Sequence, residues 1–340
     1  MPTQPVTIAT RGSALALAQA HMVLDQCRAA FPKLQFELKI IKTTGDKLQT
    51  ASLAQEGKSL PKGLFTKELE VALLRNKADL AVHSLKDLPT ELPAGLKLGA
   101  VGKRADVRDV LIYRDAEYLR KAEEDRSSAE WSPGQAARRG FNSKLKLQDL
   151  PSGAVIATSS TRRRAQMLAL NPHLKCPDIR GNVVTRMQKV AERAELDATV
   201  LALAGITRLN FRVTPEGKLE GDAVPDGLLA TILETDVMLP CVGQGAIGIE
   251  IREDDERLTT VCERLNHFNT LHSVTAERAF LAAMGGGCQS PVAAHAEVVG
   301  EKLKMRALSF TMGPMRRAEG ARPIKEAAEL GQQLAEELRG

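Results

Sequence analysis

Two stretches of the chain repeat one pattern roughly half a protein apart, and this repeat constrains the fold most. Residues 6–20 read VTIATRGSALALAQA, and residues 154–168 read AVIATSSTRRRAQML. In each, an apolar run ends in Ile-Ala-Thr, an arginine-bearing polar turn follows, and a helix-like pattern comes next. Free N–H groups, the helix dipole and guanidinium groups then favour a bound carboxylate or phosphate. The repeat predicts two similar α/β domains facing one cleft; because the second copy is one residue shorter, a chance match is the alternative.

The chain as a whole alternates strand-like and helix-like runs, which is typical of parallel β-α-β units. At 340 residues it is long enough for two or three domains. The predicted strands lie at residues 6–10, 35–41, 79–85, 154–158 and 198–205. The predicted helices lie at about residues 15–30, at 63–78 and, after the fourth strand, up to about Leu170. From about Arg252 the pattern becomes a helix, the sequence GGGCQSP, two short strands and a final helix.

The composition argues against several classes of partner. Aromatic residues make up only 3% of the chain and the net charge is +5, which is unlike a general nucleic-acid binder. The five cysteines are odd in number and widely spaced, so they predict no disulfide framework and no metal site, and they fit a reducing cytoplasm. The sequence shows no leader-like segment and no apolar run long enough to span a bilayer, so we expect no membrane partner.

Residues 115–150 differ in composition from the rest of the chain. They hold a charged helical stretch, DAEYLRKAEEDR, and then a segment rich in Ser, Pro, Gly and Arg with the only tryptophan, Trp131. We interpret them as a surface insertion, part helix and part loop, with a regulatory or partner-binding role as the alternative to a solvated insert.

In AVHSLKDLP, residues 81–89, a buried strand is predicted to run straight into polar residues. Polar residues at the carboxyl end of a parallel strand face the crevice where open α/β sheets bind ligands. Lys86 offers a cation there, and Asp87 offers a carboxylate that holds positive charge or moves a proton. A simple turn, with Asp87 as a cap and Lys86 solvated, is the alternative. His83 and Ser84 point to opposite faces of a strand, so we expect His83 to be a packed core residue.

Two arginine-rich segments follow predicted turns in the second half. In TSSTRRR, residues 158–164, hydroxyl residues supply an N-cap; two arginines are predicted to face inward and one to be solvated, with a basic surface helix as the alternative. In residues 178–189, Arg180 precedes a Gly-Asn turn and Arg186 lies near the next helix start. With Arg11 they form a set suited to several carboxylates, because a planar guanidinium binds a carboxylate bidentately. Phosphate is the alternative anion, although the sequence holds no P-loop.

The sequence GGGCQSP, residues 285–291, places a cysteine in a glycine-rich loop. Three glycines free the backbone to bring Cys288 close to a bulky group, and Pro291 fixes the exit. A thiol on an accessible loop serves as a nucleophile or a covalent anchor, and an idle loop cysteine is the alternative.

Taken together, these segments resemble the porphobilinogen deaminase family, also called hydroxymethylbilane synthases. The similarity runs through nearly the whole chain and is carried by IATRGSALALAQA, TTGDK, KGLFTKELEVALL, AVHSLKDLP, TSSTRRR, RGNVVTR, LPCVGQGAIGIE, TAERAF and GGGCQSP. The resemblance implies three α/β domains. Two are of the periplasmic-binding-protein type and form a cleft: residues 1–103 with 232–251, and residues 104–231. The third, smaller domain, residues 252–340, carries the cysteine.

The resemblance also implies a transferase of tetrapyrrole and heme biosynthesis. It joins four porphobilinogen units head to tail, releases ammonia and yields hydroxymethylbilane. It extends a dipyrromethane primer held on Cys288 by a thioether. Each pyrrole carries an acetate and a propionate, so the growing chain is a polyanion. We expect a monomer whose partner is the small-molecule substrate.

The family's site residues match particular positions of this sequence. Asp87 matches the catalytic aspartate, which stabilises cationic pyrrole intermediates and assists proton transfer. The positions that match carboxylate-binding residues are Arg11, Lys86, Arg162, Arg163, Arg180 and Arg186. The supporting hydrogen-bonding positions are Ser13, Ser84, Thr158, Ser160 and Asn182. Phe65 matches an aromatic near the substrate ring, and Gln244 lies where the chain returns to the first domain.

The sequence departs from the family pattern before the Leu-Phe pair. Members often show Gly-Gly-Lys-Gly there, whereas this chain has GKSLPKGLF at residues 57–65. This loop is predicted to be a lid over the active site, in which Lys62 matches the family pattern and Lys58 lies in the part that departs from it. Val107 stands where a proline is usual, and the insertion has no counterpart. The main rival interpretation is a non-enzymatic two-domain anion-binding module, which leaves Cys288 unexplained.

Overall fold

The structure is a computed structural model that describes residues 4–44, 65–126, 138–287 and 289–340. The chain separates into two compact units. Unit 1 comprises Met1–Asp106 and Pro240–Gly340, and unit 2 comprises Val107–Leu239. Each unit has strands and helices packed around apolar cores of its own. The mixed α/β class expected from the sequence is therefore confirmed.

The first segment of unit 1 follows the strand–turn–helix order that the sequence predicts. Its strands are β1 (Val6–Arg11), β2 (Phe36–Ile41), β3 (Leu80–Ser84) and β4 (Leu96–Val101). Its described helices are α1 (Ala14–Ala30) and α2 (Lys67–Leu74). Strand β1 pairs in parallel with β2 and with β3, as expected for β-α-β units. Helix α1 begins where predicted because the Ser13 side chain caps it, accepting the N–H of Ala16.

Unit 2 contains a mixed sheet with both parallel and antiparallel strand pairs. Its strands are β5 (Asp109–Arg114), β6 (Ile156–Ala157), β7 (Ala198–Ala202), β8 (Arg212–Val213), β9 (Leu219–Glu220) and β10 (Leu228–Leu233). Its described helices are α3 (Ala116–Arg126), α4 (Thr161–Leu170), α5 (Val183–Glu192) and α6 (Leu203–Arg208). The order is β10-β5-β7-β6, with β6 and β7 parallel. The strand predicted at residues 198–205 ends at Ala202, and α6 begins directly after it.

The segment at residues 115–150 is not wholly a surface insertion. Helix α3 has the predicted charged surface, but Leu147 and Leu150 are buried in the apolar core of unit 2. Tyr113 of β5 lies in the same core, and its hydroxyl accepts the backbone N–H of Leu145. The predicted surface insertion is wrong for this part, because leucines that cover the sheet sit inside a stretch whose average composition is polar. Trp131 lies outside the described residues.

The chain completes the sheet of unit 1 with a strand from its second segment. Strand β11 (Ile247–Arg252) lies between β3 and β4 and is antiparallel to both. The order is β2-β1-β3-β11-β4, so the expectation of parallel units holds for only part of the sheet. Helix α7 (Glu256–Leu265) contributes Leu258 and Cys262 to the apolar core that packs against this sheet.

A separate apolar cluster lies under the C-terminal elements of unit 1. These elements are α8 (Phe268–Ala283), β12 (Val292–Val299), β13 (Lys302–Ser309), β14 (Arg316–Pro323) and α9 (Ala327–Arg339). The three strands form an antiparallel sheet, and Phe280 of α8 and Leu334 of α9 are buried with Met305 of β13. Strand β14 was not predicted, because its sequence RRAEGARP is charged and has little apolar periodicity.

Gly331 permits the close approach of helices α8 and α9, and we expect Gly331→Ala to destabilise the fold. A Cβ added there would lie 2.1 Å from the carbonyl oxygen of Ala276 and 2.8 Å from the nitrogen of Phe280. We expect the free energy of unfolding to fall by about 1–3 kcal/mol. Alanine has a higher helix propensity than glycine, but the backbones of α8 and α9 must move apart to make room for the added Cβ. Urea unfolding followed by circular dichroism measures it. Gly102→Ala is the control, since its Cβ meets nothing within 4 Å; equal stability of both variants would contradict the packing argument.

Candidate functional site

In unit 1, several predicted residues lie at one edge of the five-stranded sheet. Strands β1 and β3 are parallel neighbours, so their carboxyl ends meet at the same edge. Arg11 ends β1, Ser84 ends β3, and the N-terminus of α1 begins directly after Ser13. The edge therefore combines a guanidinium, two hydroxyls and the positive end of a helix dipole, which favour a bound anion.

Lys86 and Asp87 lie in a single 3-10 turn, Leu85–Asp87, immediately after β3. Leu85 is buried and anchors this turn, whereas Lys86 is half-buried and Asp87 is exposed. Within the described ranges, no hydrogen bond or ion pair engages the side chain of Lys86 or Asp87. Asp87 does not cap a helix and Lys86 pairs with no carboxylate there, so both charges remain available to a ligand.

The other predicted residues of unit 1 are held by neighbours. The guanidinium carbon of Arg11 lies 4.3 Å from the centroid of the Phe65 ring, within range of a cation–π interaction. The Ser84 hydroxyl exchanges hydrogen bonds of 2.9 and 3.0 Å with the Gln19 amide of α1. Gln244 is fully buried, and its side-chain oxygen lies 3.3 Å from the sulfur of Cys241. Gln19 was not predicted as a site residue, because its role depends on a contact with another element.

In unit 2, the starts of α4 and α5 are held together. Ser160 caps α4 by accepting the N–H of Arg163, and Asn182 caps α5 by accepting the N–H of Thr185 at 2.9 Å. Between them, the Ser159 hydroxyl accepts the N–H of Ile179 at 3.1 Å and donates to the Ile179 carbonyl at 2.8 Å. The loops that precede these two capped helices are therefore joined by a pair of hydrogen bonds. The sequence predicted Ser159 only as one of the hydroxyl residues that precede α4, not as a link to the loop before α5.

Arg162 and Arg163 are engaged inside unit 2 rather than extended from its surface. Arg162 Nη2 lies 2.8 Å from Asp109 Oδ2, and Arg163 Nη2 lies 2.7 Å from Asp109 Oδ1. All three side chains are buried. Burial raises the pKa of the Asp109 carboxyl, but attraction to the two arginines outweighs burial and holds this pKa well below its ordinary value. Their Nη groups bind Asp109 and backbone carbonyls, and the assignment of Arg162 and Arg163 to a ligand's carboxylates stays a prediction.

The remaining predicted residues of unit 2 differ in exposure. Arg164, which has no predicted ligand, is partly exposed and pairs with Asp178. Arg180 is exposed, and Arg186 is half-buried with its Nε donating to the Gly181 carbonyl at 2.8 Å. Thr158 is buried. Its hydroxyl accepts the N–H of Ser160 at 3.2 Å, so it shapes the turn before α4.

Cys288, the predicted anchor, lies outside the described residues, and so do Lys58 and Lys62 of the predicted lid. Their assignments stay predictions. The expectation that His83 is a core residue is confirmed: it is buried, and its Nε2 lies 3.0 Å from Oε2 of the buried Glu250. Neither Glu250 nor Asp109 was predicted as a partner, because each pairs with residues far away in sequence.

Two kinds of feature are absent from the residues that the structure describes. No helix there is long and apolar enough to cross a membrane. Nor do the described His, Cys, Asp and Glu residues form a group of three or more that could hold a metal ion.

Comparison with known proteins identifies the family. The family model described as "Porphobilinogen deaminase, dipyromethane cofactor binding domain" matches residues 6–260, and "Porphobilinogen deaminase, C-terminal domain" matches residues 271–340. Porphobilinogen deaminase of Desulforamulus reducens is 39% identical over 98% of this chain and 94% of that protein. That of Paracoccus denitrificans is 40% identical over 100% of this chain and 95% of that protein.

Among solved structures, YhfZ from Shigella flexneri is a remote likeness, with a TM-score of 0.36 and 11% identity over 83% of this chain and 92% of that one. The similarity to the two deaminases spans nearly their whole length and both family models. The chain therefore belongs to the porphobilinogen deaminase family, a family of transferase-class enzymes.

Proposed function

We propose that this enzyme joins four porphobilinogen units head to tail into hydroxymethylbilane, releasing one ammonia for each unit added. The observation that carries this proposal is the Asp87 carboxylate, which is exposed at the end of β3 beside Lys86 and pairs with no described residue. In each addition, the C–N bond of the aminomethyl group breaks and leaves a cationic substrate ring. The exocyclic carbon of this cation then forms a C–C bond with the free ring carbon of the growing pyrrole chain, and that chain carbon loses its proton. A carboxylate beside the two reacting rings stabilises the cation and accepts the departing proton.

Each unit by itself holds residues suited to carboxylates of the kind that a primer of linked pyrroles carries. In unit 2, Arg180 is exposed and Arg186 is half-buried. We assign Arg180, Arg186 and the capped helix starts to carboxylates of the pyrrole chain. Arg162 and Arg163, with Asp109, orient the start of α4. When bound, the dipyrromethane group supplies the ring carbon on which the chain begins.

In unit 1, we assign Arg11 and Lys86 to substrate and primer carboxylates. We assign the Phe65 ring to packing beside a pyrrole ring. The cation–π interaction of Phe65 with Arg11 holds the Arg11 guanidinium in place. Ser13 and Ser84 are assigned as hydrogen-bonding residues at the carboxyl ends of β1 and β3. Gln244 is assigned to the segment in which the chain returns to the first domain. The domain limits expected from the sequence, the monomeric state and the cytoplasmic location belong to the same proposal. The odd number of cysteines supports the location, because it suits a reducing compartment.

Intact-mass measurement tests the covalent primer. We expect the purified wild-type chain to be heavier than its sequence by a dipyrromethane adduct, and Cys288→Ser to lack this excess, because a hydroxyl in place of the thiol leaves no thioether. Cys176→Ser, at a half-buried cysteine of unit 2, is the matched control and should keep the adduct. An adduct that survives in Cys288→Ser would remove Cys288 from the anchoring role.

A further inference from the structure

One arginine of α8 holds the backbone that follows the proposed catalytic carboxylate. Arg278 Nη1 donates to the carbonyl of Leu88 at 3.1 Å, and its Nη2 donates to the carbonyls of Pro89 and Thr90 at 2.6 and 3.2 Å. Three successive carbonyls therefore converge on one guanidinium directly after Asp87. Proline has no N–H to donate and this stretch belongs to no helix or strand, so Arg278 supplies the order that secondary structure would otherwise provide.

The neighbouring residue of α8 holds a second segment of the site. Glu277 forms a bidentate pair with Arg104 at 2.6 and 2.9 Å, and its oxygens also accept the backbone N–H groups of Gly243 and Ala296 at 2.8 Å. Arg104 in turn donates to the carbonyl of Gln244 at 2.8 Å. The loop that carries Gln244 is thus fixed to the same turn of the helix as the loop after Asp87.

These two loops also pack on each other. A Cβ built on Gly243 would lie 3.3 Å from the backbone nitrogen of Lys86 and 3.1 Å from the Leu85 side chain. Gly243 has a φ of +71°, so both its conformation and its surroundings favour glycine. The turn that presents Lys86 and Asp87 therefore rests on a loop held by Glu277, and the chain beyond it is held by Arg278.

We propose that Arg278 is a positioning residue that fixes the Asp87 carboxylate relative to helix α8. This helix ends at Ala283, and the sequence then runs through three glycines to Cys288. A displacement of the Leu88–Thr90 backbone would move Asp87 with respect to the segment that leads to the proposed anchor. The inference rests on the proposed function, and it assigns to Arg278 a role in turnover rather than in primer attachment.

Arg278→Lys is the decisive variant, because it keeps the positive charge and most of the side-chain volume. An ammonium group is a point donor without the planar fork, so it cannot serve three carbonyls in the same geometry. We expect kcat for porphobilinogen to fall about 10- to 100-fold, as for a small displacement of a reacting group, while KM stays within about threefold. The intact mass should still show the adduct. Rates are expressed for the folded, adduct-bearing fraction, so that a loss of stability does not count as a loss of kcat.

Arg252→Lys is the matched control. Arg252 also donates to two backbone carbonyls, those of Leu73 and Ala78 at 3.1 and 2.8 Å, but it ends β11 at the sheet edge opposite Asp87. We expect its kcat to stay within about twofold of the wild type, since its carbonyl contacts lie far from the reacting group. Equal losses of kcat in the two variants, or a kcat within threefold of wild type in Arg278→Lys, would overturn the inference. A wild-type enzyme that consumes no porphobilinogen would instead refute the proposed function itself.

Discussion

Asp87→Asn is expected to lower kcat for porphobilinogen by at least about 100-fold and to leave the fold and the adduct intact. Asparagine has the same shape but no charge, so it neither stabilises a cationic ring nor accepts a proton from it. The Asp87 side chain is exposed and contacts no described partner by hydrogen bond or ion pair, so the substitution breaks no structural interaction. We therefore expect the free energy of unfolding to change by no more than about 0.5 kcal/mol.

Steady-state kinetics, intact mass and urea unfolding together test this expectation. Glu91→Gln is the matched control, because Glu91 is an exposed carboxylate a few residues further along the same loop region. Its kcat should stay within about twofold of the wild type. A kcat within threefold of wild type in Asp87→Asn would exclude Asp87 as the catalytic residue. Loss of the adduct in that variant would assign Asp87 to primer assembly instead.

The sequence predicted those parts of the fold that depend on neighbours in the chain. Apolar spacing and the Ser13 cap define β1 and α1, and the same local signals place Lys86 and Asp87 directly after β3. In unit 2, Ser160 provides the same kind of cap for α4. These features carry enough information within a few residues to be read without knowledge of the rest of the molecule.

The features that sequence reasoning missed depend on partners far along the chain. The resemblance assigned residues 232–251 to the first domain, but no local pattern specifies that strand β11 takes its place between β3 and β4. Arg162 and Arg163 are similar in this respect. A run of arginines has the same sequence whether it awaits a ligand or binds a buried carboxylate, and Asp109 lies more than 50 residues earlier.

Asp109→Asn is expected to destabilise the protein by about 3–5 kcal/mol, because it leaves two buried guanidinium groups without their carboxylate. The exposed fractions are 0% for Asp109, 3% for Arg162 and 6% for Arg163, so water cannot take the place of the lost charge. The asparagine amide also points N–H donors at a guanidinium that has only donors. Urea unfolding followed by circular dichroism measures the loss, and the accompanying disorder at the start of α4 is expected to lower primer content.

The pH dependence of stability provides an independent measurement. The pKa of Asp109 is lower in the folded state than its ordinary value, because its attraction to two arginines outweighs burial. The stabilisation from this group is therefore fully present above the unfolded-state pKa of about 3.9 and is lost as the pH falls through the lower folded-state value. In the wild type, the free energy of unfolding should fall over this acidic range. The difference between wild type and Asp109→Asn should shrink over the same range.

Asp178→Asn separates the effect of burial from that of losing any carboxylate beside α4. Asp178 pairs with Arg164 of the same helix, but its side chain is 63% exposed and that of Arg164 is 36% exposed. A surface ion pair contributes at most about 1 kcal/mol, so this variant should unfold close to the wild-type urea concentration. If Asp109→Asn lowered the free energy of unfolding as little as Asp178→Asn does, Asp109 would be acting as an ordinary surface partner. The arginines of α4 would then be free to turn toward a ligand, as the sequence alone suggested.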